Sequence, residues 1–116
     1  MVFEMNNRVW EIVEWSQKEI KAYQNKRRNN SDEDINSISD RYYGVTFYDN
    51  LMIVLDKDLP IDVKMNVLKH ELAHCYIISY ITLRERNYTE EDVCDLIANS
   101  HDIIETIVNK YIDNTK

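Results

Sequence analysis

One glycine and one proline stand among the 116 residues. With so few of the residues that punctuate a chain, tight turns are scarce and long regular elements are expected. Two cysteines, Cys75 and Cys94, are too few for the disulfide framework of a small secreted domain, and no structural disulfide is expected between them. No run of about 18 apolar residues occurs, so no membrane-spanning helix is expected. The opening MVFEMNNRVWEIVEW sets acids among its apolar residues and lacks a basic-then-apolar signal pattern, which points to a cytoplasmic protein. Cations are also outnumbered, with Lys+Arg 14 against Asp+Glu 21 and a net charge of -7. That balance argues against direct nucleic-acid binding through phosphate neutralisation. It keeps a small domain soluble and suits an acidic surface that occupies a basic partner.

The length allows one domain, residues 1–116, with a small core. From Asn7 to Arg28 the spacing predicts one long helix. Val9, Ile12, Val13, Ile20 and Tyr23 recur at i, i+3/i+4 with Ser16 in the gap, and Lys26, Arg27 and Arg28 oppose the dipole at its end. Residues 29–40, NNSDEDINSISD, read as a polar linker. The period then falls to two, predicting a β-hairpin of about Tyr42–Tyr48 and Leu51–Asp56 with Asp49-Asn50 as its positive-φ turn. Pro60, in Asp58-Leu59-Pro60-Ile61-Asp62, suits the first turn of a second helix. That helix runs to about Leu83-Arg84, with Val63, Val67, Leu68, Leu72, Cys75, Tyr76 and Ser79 as its apolar sector. Thr89-Glu90-Glu91-Asp92 forms a capping box for the last helix, whose stripe is Val93, Leu96, Ile97, Ser100, Ile103, Ile104, Ile107, Val108 and Tyr111. The fold class is therefore α+β: an N-terminal helix, a β-hairpin or small antiparallel sheet, and two further helices.

The second helix carries His70-Glu71-Leu72-Ala73-His74, an H-E-x-x-H motif. Four residues on a helix turn through about 400°, so both imidazoles leave one face, one turn apart. Two neutral imidazoles so placed bind one Zn²⁺, and the intervening glutamate can deprotonate a water there. The same five residues also occur by chance on solvated helix faces. A catalytic zinc takes a third protein ligand. Glu91, at the start of the next helix, is the best candidate, with Asp95 one turn on to accept an imidazole N–H and fix its tautomer. Glu90, Asp92 and Cys94 are alternatives to Glu91, and Glu91 and Asp95 also fit a plain acidic first turn. Cys75 and Cys94 otherwise read as small core residues. Donors for an oxyanion are drawn from Tyr42, Tyr43, Tyr76, Tyr80, Tyr88 and His101.

H-E-x-x-H followed by Glu91-x-x-x-Asp95 resembles the gluzincin pattern. More closely, Tyr43–Asp56 (YGVTFYDNLMIVLD), Leu68–Ile77 (LKHELAHCYI) and Glu90–Ala98 (EEDVCDLIA) resemble small phage- and mobile-element-encoded zinc metallopeptidase-like proteins related to the ImmA/IrrE type. The likeness covers roughly residues 43–116. Larger members carry an E-x-E-A-N-x-F-A-like block, and alignment on the final alanine keeps Glu91 at its first acid but puts Val93 at its second. The resemblance implies a minimal zincin-like domain and a zinc endopeptidase, with His70, His74 and Glu91 on the metal and Glu71 as general base. The substrate it implies is a protein or peptide, such as a repressor. The alternative is a non-catalytic acidic interaction protein that keeps this fold, with or without zinc, and binds a basic partner.

Overall fold

The computed structural model describes residues 1–27, 41–80 and 89–115. Four strands and three helices follow in the order β1 (Val2–Met5), β2 (Arg8–Trp15), α1 (Gln17–Arg27), β3 (Gly44–Phe47), β4 (Met52–Asp56), α2 (Ile61–Tyr80) and α3 (Glu90–Asn114). The fold is α+β, built on one mixed sheet of strand order β1-β2-β4-β3. β1 and β2 pair antiparallel, as do β3 and β4, while β2 and β4 pair parallel with Ile12 opposite Ile53.

The expected helix over Asn7–Arg28 is corrected by this arrangement. Its first half is strand β2, and only Gln17–Arg27 is helical. Alternation decides the matter: Trp10 and Ile12 are buried while Arg8, Val9 and Glu11 are exposed. The turn that makes β2 possible is Asn6-Asn7, at φ 50 and φ 65. Asparagine tolerates this left-handed region, and two such residues in succession turn a hairpin. The Asn6 amide donates to the Tyr80 hydroxyl at 2.9 Å, and Asn6 Nδ2 donates to the Ser79 carbonyl at 2.5 Å. These bonds tie the first hairpin to the end of α2.

The β3–β4 hairpin is present, but Leu51, at φ 52, takes the positive φ expected of Asp49-Asn50. The connection spans Tyr48–Leu51, since Phe47 pairs with Met52. The sheet is mixed and not only antiparallel, because β2 lies beside β4. One face carries Phe3, Trp10, Ile12, Ile53 and Leu55 into the main core with Leu68, Leu72, Cys75 and Tyr76 of α2 and Ile107, Val108 and Tyr111 of α3. On the other face, Ile20 of α1 packs with Phe47 and Val54. Burial of such side chains is the main favourable contribution to folding.

α3 begins at the expected cap: the Thr89 side chain accepts from the Asp92 amide, and the Asp92 carboxylate accepts from the Thr89 amide. Its first turns depart from the expected stripe, for Val93 and Ile97 are exposed. Only from Ser100 onward does the helix bury residues, ending with Tyr111. No helix is long and apolar enough to cross a membrane among the described residues. The expected linker at 29–40 and the expected helix end near Leu83-Arg84 lie outside the described residues.

Candidate metal centre

α2 starts at Ile61, where the Pro60 carbonyl accepts from the Lys64 amide at 2.8 Å. Its buried residues include Leu68, Leu72, Cys75, Tyr76 and Ser79, as the apolar sector predicts, whereas Val63 of that sector is exposed and Val67 half-buried. That packing sets the helix phase. It turns His70 and His74 outward along the border of the core and Glu71 inward.

His70 Nε2 and His74 Nε2 face each other at 3.3 Å. Two imidazole nitrogens that share one tetrahedral zinc at about 2.0–2.1 Å stand about 3.3–3.4 Å apart. The histidine pair therefore already has the spacing that a shared metal requires. The same spacing serves a ring-to-ring hydrogen bond, one nitrogen donating and the other accepting. Bond and metal compete for the same lone pairs. The His70 side chain is 70% exposed, so solvent reaches the pair, as a catalytic rather than a closed structural site requires.

Glu71 is the buried member, at 6% exposure. Thr46 of β3 donates its hydroxyl to Glu71 Oε1 at 2.8 Å, while Glu71 Oε2 lies 4.0 Å from His70 Nε2. One carboxylate oxygen is thus held by the sheet, and the other faces the histidines. His70, Glu71 and His74 bring ligand atoms within 4.8 Å of one another. On its far side His74 Nδ1 meets the Tyr48 hydroxyl at 3.5 Å. A proton on that nitrogen leaves Nε2 as the ligand atom.

The other sequence candidates sit elsewhere. Glu90, Glu91, Asp92 and Asp95 are exposed in the first turns of α3, and Glu91 is outside the clustered group. The Tyr48 hydroxyl stands beside His74 Nδ1, and Asp95 is outside the clustered group. Cys75 is fully buried, and burial, then the charge of Glu71, pushes its thiol pKa up. It is a core residue, as expected. Cys94 is exposed, not the core residue expected. Among the tyrosines, Tyr76 is packed in the core and Tyr80 accepts from Asn6. Tyr42 and Tyr43 line the groove that also holds His70 and Glu71. His101 is exposed on α3, and Tyr88 lies outside the described residues.

That groove, of about 480 Å³, runs between the start of β3 and the first half of α2. Sequence reasoning missed the residues that shape its far end. Asp56, the last residue of β4, is fully buried. Its Oδ2 accepts from Arg41 Nε at 3.0 Å, Arg41 Nη2 at 2.7 Å and Gln17 Nε2 at 2.8 Å. Its Oδ1 accepts from the Asp58 amide at 2.9 Å. Burial alone raises the carboxyl pKa, but the Asp58 amide, Arg41 and Gln17 outweigh it, and the pKa lies below the ordinary value. Gln17 in turn accepts from the Tyr42 amide at 3.0 Å and donates to its carbonyl at 2.5 Å. No periodicity marks these residues, because the network joins the starts of α1 and β3 to the end of β4.

β3 also forms one margin of the sheet, pairing with β4 alone among the described residues. The Asp56 amide donates to the Tyr43 carbonyl at 2.9 Å, and Val45 stands opposite Val54. Antiparallel ladders alternate, so Tyr43, Val45 and Phe47 turn their main-chain groups toward β4. Gly44 and Thr46 turn theirs to the outer edge. Compared with models of known families, with curated proteins and with solved structures, this chain matches none.

Proposed function

We propose that this protein is a zinc-dependent endopeptidase with a minimal zincin-like fold, of the kind its H-E-x-x-H block resembles. The observation that carries the reading is the 3.3 Å separation of His70 Nε2 and His74 Nε2 beside the buried, sheet-anchored Glu71. His70 and His74 hold the metal, and Glu91 is the third ligand that the sequence nominates. Bound there, zinc supplies a Lewis acid that polarises a carbonyl and acidifies water.

The rest is the work of the chain's own side chains. Glu71 takes the proton from the attacking water on Oε2, while Thr46 holds Oε1 and fixes the carboxylate plane. Tyr48 keeps the His74 ring in the orientation that presents Nε2. The outer edge of β3 receives an extended peptide as an added strand through the main-chain groups of Gly44 and Thr46. A protein or peptide substrate follows from that edge, and a repressor is the substrate that the family resemblance suggests.

The test is metal content together with peptide hydrolysis. We expect about one zinc per chain, lost in His70→Ala and His74→Ala. Glu71→Gln should keep the metal and lose at least about a hundredfold in hydrolysis, as removal of a general base does. Hydrolysis by Glu71→Gln at the wild-type rate overturns the mechanism. Glu91→Gln should weaken zinc binding, and unchanged affinity removes Glu91 from the ligand set.

A further inference from the structure

We infer that Arg41 makes the far end of the groove a carboxylate-binding subsite, so that the preferred peptide carries an acidic side chain or a free C-terminus there. This deepens the peptidase reading and rests on it for the identity of the ligand as a peptide. The groove runs from His70 and Glu71 past Val67 and Asn66 to Arg41 and Tyr43. At the far end the guanidinium is fixed before any ligand arrives. Its Nε and Nη2 are bonded to the buried Asp56 carboxylate, and it lies over the Tyr43 ring at 5.5 Å.

Asp56 is saturated by Arg41, Gln17 and the Asp58 amide. The Arg41 side chain is still 50% exposed. A guanidinium has five N–H donors, and Asp56 engages only one edge of it. The other edge offers donors with the paired geometry that a second carboxylate fits. Ordinary surface arginines lose side-chain freedom on binding an anion. Arg41 is already ordered, so less is lost.

Titration of the metal-free full chain with alanine-based hexapeptides tests the subsite. One peptide carries a single Glu and is amidated, its counterpart carries Gln, and a third has a free C-terminal carboxylate. The Arg41 Nε–H resonance and the affinity are followed together. At least one carboxylate peptide should bind about tenfold tighter than the Gln amide, the effect of one charge-assisted bond pair. Which one does so identifies the source of the carboxylate. Arg41→Gln combined with Asp56→Asn, which leaves no unpaired buried carboxylate, should abolish the difference. Equal affinities, no binding at millimolar peptide, or a preference that survives in the double variant overturn the inference. Selective binding without hydrolysis by the zinc-loaded protein would sink the peptidase reading alone. Hydrolysis without carboxylate preference would sink only the subsite.

Discussion

Gly44 stands where β3 passes close to α2. A Cβ built on it would lie 2.6 Å from Val67 Cγ1 and 3.2 Å from Glu71 Cγ. No glycine here takes a positive φ, so space and not backbone freedom is what the position requires. Gly44→Ala should therefore cost about 1–3 kcal/mol of stability through overpacking. It should also displace Glu71 and reduce hydrolysis. Urea denaturation reads the first effect, and Val67→Ala in the same chain should restore part of it; an unchanged midpoint for Gly44→Ala would contradict the close approach. At this scale the sequence was partly legible. His70, Glu71 and His74 could be placed on one helix because helical periodicity is local and the core side of α2 is strongly apolar. Thr46, Tyr48 and Gly44 could not be assigned, since their roles arise only when β3 crosses α2.

Among the elements, β2 shows why a local pattern can mislead. Val9, Ile12 and Val13 satisfy helical spacing, yet RVWEIVEW also alternates. A short apolar run does not distinguish the two, and its β-branched and aromatic content favours a strand. The preceding Asn6-Asn7, an asparagine pair suited to a hairpin turn, adds a second signal for the strand. Asn6 has two separable roles there, the left-handed backbone and the bond from Nδ2 to the Ser79 carbonyl. Asn6→Gly loses only the second, whereas Asn6→Ala loses both. The alanine variant should be less stable than the glycine variant by about 1 kcal/mol, the cost of a left-handed residue bearing a Cβ. Chemical denaturation of the pair decides it, and equal stability would mean that the turn is unstrained. The hairpin of β3 and β4 and the cap of α3 were legible because each is coded by neighbours in sequence. The parallel pairing of β2 with β4 was not, for it joins segments separated by α1, residues 28–43 and β3.

Across the whole molecule, ionisable groups bind the layers together. Glu14 of β2 accepts from Lys64 Nζ of α2 at 2.6 Å and from the Tyr111 hydroxyl of α3. Burial raises the Glu14 pKa, but the bonds to Lys64 and Tyr111 outweigh it and leave it lowered. The Asp56 pKa is lowered as well. A depressed carboxyl pKa contributes stability that is full above the unfolded value of about 4 and is lost as pH falls through the folded value. The Tyr111 phenol is raised by burial, then by Glu14, and the Cys75 thiol by burial, then by Glu71. Their contribution is full below the unfolded values and is lost as pH rises past about 8.5 for the thiol and about 10 for the phenol. Thermal midpoints should therefore form a plateau between these limits and fall on both sides. Asp56→Asn should flatten the acid arm, and an acid arm unchanged in that variant would remove Asp56 from the account. The margin of the sheet at β3, which pairs with β4 alone among the described residues, carries a different consequence. Main-chain groups open to a visiting peptide are equally open to the same margin of another copy, so high protein concentration sets self-association against substrate. What restrains that association is brevity: β3 has 4 residues, fewer than the roughly six-residue segments that stack into fibrils.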